Sequence, residues 1–206
     1  MDLAGRRGDR ALFEHLELAL EPGTVTWLRG RNGCGKTSLL RLLAGLATPL
    51  AGEIRVGNVS MRAAGAAWRR GLVYIGHQSA LKDDLHAGEA LRFLARLNGT
   101  PVDDAALARA LERLGVRACL HAPVRTLSQG QRRRVALARL ALSTSCALWL
   151  LDEPFDALDA DGIEALNDLL SEHAVRGGCA LLTSHQALSL TKPLPLVFDL
   201  DRLGLA

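Results

Sequence analysis

Short apolar runs alternate along this chain with segments of helical periodicity, the pattern of an α/β protein. Residues 24–29, Thr-Val-Thr-Trp-Leu-Arg, are short and apolar enough for a buried strand, and a glycine-rich turn follows them. Over residues 37–46 leucines recur at helical spacing, with Gly45 as the stop. Residues 52–56 and 72–75 are expected as further strands. Helices dominate from about Asp84 to Ala141. There Leu91, Leu94 and Leu97 lie three apart and are expected to share one apolar face. Asp103 or Asp104 caps the next predicted helix, Leu107, Leu111 and Leu114 form its stripe, and Gly115 ends it. Pro123 and a loop at 127–131 precede a basic amphipathic helix. Strand-like runs return at 147–151, 179–183 and near 196–200. A helical segment, 84–141, is thus inserted into an α/β core formed by 1–83 and 142–206, all within one domain.

Bulk composition narrows the picture only modestly. The 206 residues are 49% hydrophobic and 23% charged, an ordinary globular balance with enough length for a substantial core. The formal net charge of +3 comes largely from arginine clusters such as Arg69-Arg70 and Arg132-Arg133-Arg134. Few aromatics interleave with them, so they are expected to be solvated helix faces, and no nucleic-acid partner is expected. No N-terminal apolar segment marks the chain for secretion, and no run of roughly 18 uncharged apolar residues would span a membrane. Cys34, Cys119, Cys146 and Cys179 lack metal-ligand spacing, which argues for reduced thiols.

Chemistry concentrates at the ends of the predicted strands. Gly30-Arg31-Asn32-Gly33-Cys34-Gly35-Lys36-Thr37 fits GxxxxGK[ST] between a strand and a helix. Its glycines allow backbone N–H groups to wrap a β-phosphate, and the helix N-terminus adds its positive dipole end. Lys36 supplies a point charge to the β- and γ-phosphates, and the Thr37 hydroxyl is a ligand for Mg²⁺. The apolar run Leu148-Trp149-Leu150-Leu151 ends in Asp152 and Glu153. Paired acids at the end of a buried strand are costly unless they face a cation or a reacting group. Asp152 is placed to hold Mg²⁺ through water, and Glu153 to polarise an attacking water as general base. Gln78 follows the strand at 72–75, where it could sense the γ-phosphate, the metal or that water. His185 follows the strand at 179–183, where a neutral imidazole could reach the γ-phosphate. Histidines 15, 77, 86, 121 and 173 are expected to be structural or surface residues.

In this order the motifs resemble those of the ATP-binding domains of ABC transporters, over nearly the whole chain. Gly30 to Thr37, with Ser38 following, looks like Walker A, and Gln78 like the Q-loop. Leu127-Ser128-Gln129-Gly130-Gln131 looks like the ABC signature, residues 148–153 like Walker B, Asp159 like the D-loop and His185 like the switch histidine. The resemblance implies a P-loop NTPase fold with an N-terminal antiparallel β subdomain and a head-to-tail dimer. In that dimer each ATP lies between one copy's Walker A and the other's Ser128 and Gly130.

Within this superfamily the chain most resembles the ATPase subunits of cytochrome c maturation systems, the haem exporters. The stretches that carry this are 74–78 with 81–85, 89–93, 131–139, 154–159 and 176–186. It implies a CcmB-like permease partner, other maturation proteins, and a place at the cytoplasmic face of the bacterial inner membrane. The runner-up is a soluble ABC ATPase acting on nucleic acid or ribosomes. Two positions depart from the common ABC pattern. Gln129 replaces a glycine, which a backbone-only role tolerates at ordinary φ. Arg7 stands where most such domains carry an adenine-stacking aromatic; a guanidinium plane can also stack on a base, so loose base selection is expected.

Overall fold

The structure, a computed structural model, describes residues 2–203. The chain starts with an antiparallel hairpin, β1 (Leu3–Arg7) and β2 (Arg10–Leu16). β3 (Val25–Arg29) leads through the glycine-rich loop into α1 (Lys36–Leu43). A small second hairpin, β4 (Arg55–Val56) and β5 (Val59–Ser60), is followed by α2 (Met61–Ala64), α3 (Ala66–Arg70) and β6 (Leu72–Ile75). The helical segment comprises α4 (Ala87–Leu97), α5 (Asp104–Arg113) and α6 (Gln129–Leu142). β7 (Leu148–Leu151), α7 (Ala160–Val175), β8 (Cys179–Thr183) and β9 (Leu196–Asp199) complete the fold.

Five strands form one sheet in the order β6-β7-β8-β3-β9, and every pair in it is parallel. Parallel strands are covered on both faces, so they read as continuous apolar runs. Alternate residues feed two cores. Trp149, Leu151, Ala180 and Leu182 pack towards α4, α5, α6 and α7, whereas Leu150, Leu181 and Leu28 pack towards α1, the first hairpin and Trp68. The consequence for function is geometric: the C-terminal ends of all five strands lie along one edge. That edge is where open α/β sheets bind ligands.

Several sequence expectations need correction. The strand expected at 52–56 is confined to Arg55–Val56, because Gly52 sits at φ +82° and turns the chain just after Ala51 bridges to Ala4. The first helix of the 84–141 segment begins at Ala87, not Asp84. Leu97 does not share the buried face of Leu91 and Leu94; it is 63% exposed. Six residues at 100° each carry it well past that stripe, whose continuation is Ala95 and the buried Asn98. Asp103 caps α5, its Oδ1 accepting the Ala106 N–H at 2.7 Å.

The arginine cluster on α6 is also not a solvated face. Arg133 is buried, and Arg132 and Arg134 are half-buried. Arg132 pairs with Asp83 at 2.7 Å, and Arg134 pairs with Asp159 while donating to the Leu114 carbonyl at 3.0 Å. Further along the helix Arg139 donates to Asn98 Oδ1 at 2.6 Å. A helix facing other loops can satisfy arginines with carbonyl oxygens, an option that a charge count does not reveal. Arg69 and Arg70 are exposed, as expected.

Candidate nucleotide site

The ends of β3, β7 and β8 deliver the glycine-rich loop, the paired acids and His185 to one cavity, and the end of β6 brings Gln78 to the cavity beside it. The loop after β3 contains Gly30, Gly33 and Gly35, all at positive φ (+145°, +82° and +110°), a backbone only glycine adopts without strain. Gly35 is also hemmed in: a Cβ there would lie 3.1 Å from Leu12 Cβ and 3.2 Å from the Phe13 ring. Lys36 folds back over the loop and donates to the Gly30 carbonyl at 2.6 Å and that of Arg31 at 3.2 Å. Its ammonium is therefore parked against neutral acceptors that a phosphate oxygen would outbid. Asp201, just beyond β9, accepts the Arg31 N–H at 2.7 Å and steadies the outer side of the loop.

The acids after β7 are buried beside the loop, Asp152 to 2% exposure and Glu153 to 8%. Thr183, at the end of β8, donates to Asp152 Oδ1 at 3.0 Å and accepts the Glu153 N–H at 2.8 Å. Glu153 Oε2 accepts the His185 N–H at 3.0 Å, and His185 Nε2 lies 3.5 Å from Glu153 Oε1. Glu153 holds φ +49°, a conformation that costs a non-glycine residue on the order of 1–3 kcal/mol. Strain of this kind clusters at active sites, and here it falls on a carboxylate that lines the cavity.

A cavity of about 210 Å³ gathers Arg7, Asn32, Gly33, Gly35, Lys36, Thr37, Ser38, Asp152, Glu153 and His185, with Leu12 and His77. Gln78 lines a neighbouring cavity of about 530 Å³ that shares Thr37, His77 and Asp152 with the first. Cys34 is half-buried within the loop, where desolvation pushes its thiol pKa up and keeps it protonated. The donor set suits a divalent cation. Asp152 Oδ2 is buried with no hydrogen-bond partner among the described residues, and Thr37 lines the same cavity. An unpartnered buried carboxylate oxygen is costly unless a cation or its waters meet it.

Another set of candidates lies elsewhere. Ser128 is the N-cap of α6: its hydroxyl accepts the Gln131 N–H at 3.2 Å, and Gln131 Oε1 accepts the Ser128 N–H at 2.9 Å. Gln129 is the first residue of that helix, so its substitution for glycine meets no positive φ. Leu127 is buried as an anchor, whereas Ser128, Gln129 and Gln131 are exposed and Gly130 is half-buried. None of these five residues lines the cavity. Asp159 is outside it too, capping α7 through the Gly162 N–H at 2.9 Å. That N–H and then Arg134 hold its carboxyl below the usual carboxylate range.

Sequence patterns match this arrangement across known proteins. The ABC transporter family matches residues 13–156. A cytochrome c biogenesis ATP-binding export protein CcmA from Aromatoleum aromaticum is 48% identical, over 98% of this chain and 94% of its own. The Pseudomonas aeruginosa protein of the same name is 46% identical over 92% of this chain and 93% of its own. The chain belongs to the ABC transporter family, among the CcmA proteins. It is therefore a nucleotide-binding subunit. An ABC transporter ATP-binding protein from Pyrococcus furiosus superposes with a TM-score of 0.82 at 27% identity, covering 98% of this chain and 96% of that one. The P-loop architecture expected from the motifs is thus the fold of the CcmA proteins' wider family.

Four residues at the site escaped the sequence reading. Leu12 and His77 line the cavity, Thr183 ties the two acids together, and Asp201 braces the loop. Thr183 and Asp201 had a usable signal: each is a polar residue at or just past the end of an apolar strand run, as Asp152 is. Leu12 had none, because β2 alternates too irregularly to reveal which side chains face the loop.

Proposed function

We propose that this chain hydrolyses ATP to energise a membrane partner in c-type cytochrome biogenesis, by haem export or by release of a haem carrier. The observation that carries the enzymatic part is the convergence of Lys36, Thr37, Asp152, Glu153 and His185 on one cavity at the C-terminal edge of the sheet. The biological part rests on the CcmA relatives.

In this reading the N–H groups of residues 30–37 and the Lys36 ammonium hold the β- and γ-phosphates. Thr37, Gln78 and Asp152 would hold Mg²⁺, which when bound neutralises phosphate charge. Glu153 orients and deprotonates the attacking water, and His185 donates to the γ-phosphate from beside it. Arg7 stacks on the base. The hydrogen bonds from Thr183 and His185 keep the two acids in place before nucleotide arrives, so little reorganisation is left for the reaction.

The signature residues act across a dimer. Ser128 and Gly130 of one copy close over nucleotide held by another, with the α6 N-terminus facing the γ-phosphate. Residues 84–141 serve as the helical unit that carries this surface, and the remainder as the nucleotide-holding core. The membrane contact falls on α4 beside the Q-loop. Its outward face carries Phe93 and Leu97, 43% and 63% exposed and one helical turn apart. No helix among the described residues is long and apolar enough to cross a membrane, so a permease would provide the link to the inner membrane's cytoplasmic face.

The test is to trap Glu153→Gln with ATP in its native membranes and identify what copurifies. A small permease with haem-handling companions is the expected result. A permease of another system would overturn the biological part, and salt-dependent RNA binding without a permease would favour the soluble alternative.

A further inference from the structure

The helix that starts at the signature is bolted to the catalytic turn by a single side chain. Arg133 is only 6% exposed, yet its partners among the described residues are all backbone carbonyls. Nη2 donates to Asp152 O at 2.9 Å and Glu153 O at 2.5 Å, Nε to Pro154 O at 3.3 Å, and Nη1 to Gly76 O at 2.9 Å. Three of these oxygens are consecutive along the turn that carries Glu153 in its left-handed conformation. The fourth lies two residues before Gln78. Desolvation pulls the Arg133 pKa down, opposed by Asp156, Asp152 and Glu153, so those nearby acids help keep a buried guanidinium charged.

We propose that Arg133 is a positioning residue for hydrolysis: its fork fixes the backbone around Glu153 and ties it to the start of the Q-loop. The geometry demands an arginine. A guanidinium offers five N–H groups in one rigid plane, and four carbonyls at fixed places engage all three of its nitrogens. A lysine brings three donors at a single point, and a glutamine only two. Neither can hold the turn and Gly76 together. Because Arg133 sits on the helix whose N-terminus carries Ser128, the same bond set also makes the position of the signature depend on the Walker B turn. The inference rests on Glu153 being the base.

Arg133→Lys and Arg133→Gln are to be compared, in the full chain, for steady-state hydrolysis, Mg-ATP affinity and melting temperature, with and without Glu153→Gln. Turnover is expected to fall about 10-fold in the lysine variant and roughly 100-fold in the glutamine variant, with affinity unchanged within about 2-fold. In the Glu153→Gln background, adding either substitution should change the residual turnover by less than about 2-fold, because both act through one carboxylate. A residue that merely stabilises the fold would not show that loss of additivity.

Wild-type turnover in the variants, equal fold-losses in both backgrounds, or nucleotide affinity falling in step with turnover would each overturn the proposal. If Arg133→Gln does not fold, Arg133→Lys is judged by the same criteria. Full turnover in Glu153→Gln would remove the base assignment and the proposal with it. Full turnover in Arg133→Lys beside an inactive Glu153→Gln would remove the proposal alone.

Discussion

At the C-terminal edge of the sheet, Lys36, Thr37, Asp152, Glu153 and His185 converge on one cavity, whereas Ser128, Gln129 and Gln131 stand exposed at the start of α6 and line no part of it. The first region is finished within one chain. Its acids are buried and tied by Thr183 and by the His185 N–H, and its lysine is held by loop carbonyls. The second is a capping box at the surface, with no share in that cavity among the described residues. On the proposed function, the contrast teaches that binding and hydrolysis can be separated: one chain would hold nucleotide by itself, and the exposed helix start would gain a task only when another copy brings nucleotide to it. Arg133 joins the two regions, so neither moves without consequences for the other.

The largest effect expected comes from removing the charge in the finished region. Lys36→Ala should weaken Mg-ATP binding on the order of 100-fold, about 2.7 kcal/mol, measured by equilibrium titration. Binding within a few-fold of wild type would mean that the loop amides alone hold the phosphates, and that the contrast between the regions is misplaced.

Ser128→Asp probes the other region without undoing its fold. Aspartate is as good an N-cap as serine and suits the positive end of the helix, so the melting temperature should hold. A carboxylate facing a γ-phosphate across a dimer would repel it. Hydrolysis should drop by about 10-fold or more while Mg-ATP affinity of the single chain stays unchanged. Weaker affinity in the single chain would place Ser128 in the same-chain site and dissolve the distinction.

A smaller effect is expected at Arg7, which lines the cavity, as does Leu12. A guanidinium stacked on a base reads its plane and not its edge. GTP should therefore compete with ATP within about 10-fold, a difference below roughly 1.4 kcal/mol. Arg7→Ala should weaken both nucleotides by a similar factor of about 5. A preference for ATP beyond 10-fold would show that some other group reads the base edge.

The two regions were also unequally legible. Strands at Val25–Arg29, Leu72–Ile75, Leu148–Leu151 and Cys179–Thr183 are continuous apolar runs because both sheet faces are covered, and each points to the polar residue that follows it. The first hairpin gave no such pattern. Its register shifts on both sides of Gly5, where Phe13 packs against the glycine, so alternation is lost over so short a strand. Leu97 misled because spacing by three drifts off a 3.6-residue period within two steps. Arg133 misled more deeply. Its partners are backbone oxygens 19 to 57 residues away in sequence, and a backbone carbonyl leaves no mark in the amino-acid order.

The smallest effect expected concerns a histidine that belongs to neither region. His185 is exposed beside Glu153, whereas His173 on α7 is 1% exposed, its ring stacked on Trp149 at 3.8 Å and 5°. Its Nε2 lies 3.1 Å from the Cys179 carbonyl, so the neutral ring can donate there. Burial pushes its pKa below the ordinary 6.5, with the Cys179 carbonyl opposing the shift and Arg176 adding to it. A base whose pKa is lowered by folding binds fewer protons in the folded chain than in the unfolded one. Its contribution to stability is therefore complete above about pH 6.5 and is lost as pH falls below that value. His173→Phe keeps a ring for the stack and removes the titration. Between pH 7.5 and 5.5 the wild-type melting temperature should fall further than the variant's, at about 2–4 °C for each kcal/mol lost. Parallel falls would mean that the ring is rehydrated on protonation without disturbing the core. Turnover at pH 7.5 should be the same in both, because His173 does not line the cavity and phenylalanine keeps the stack under β7.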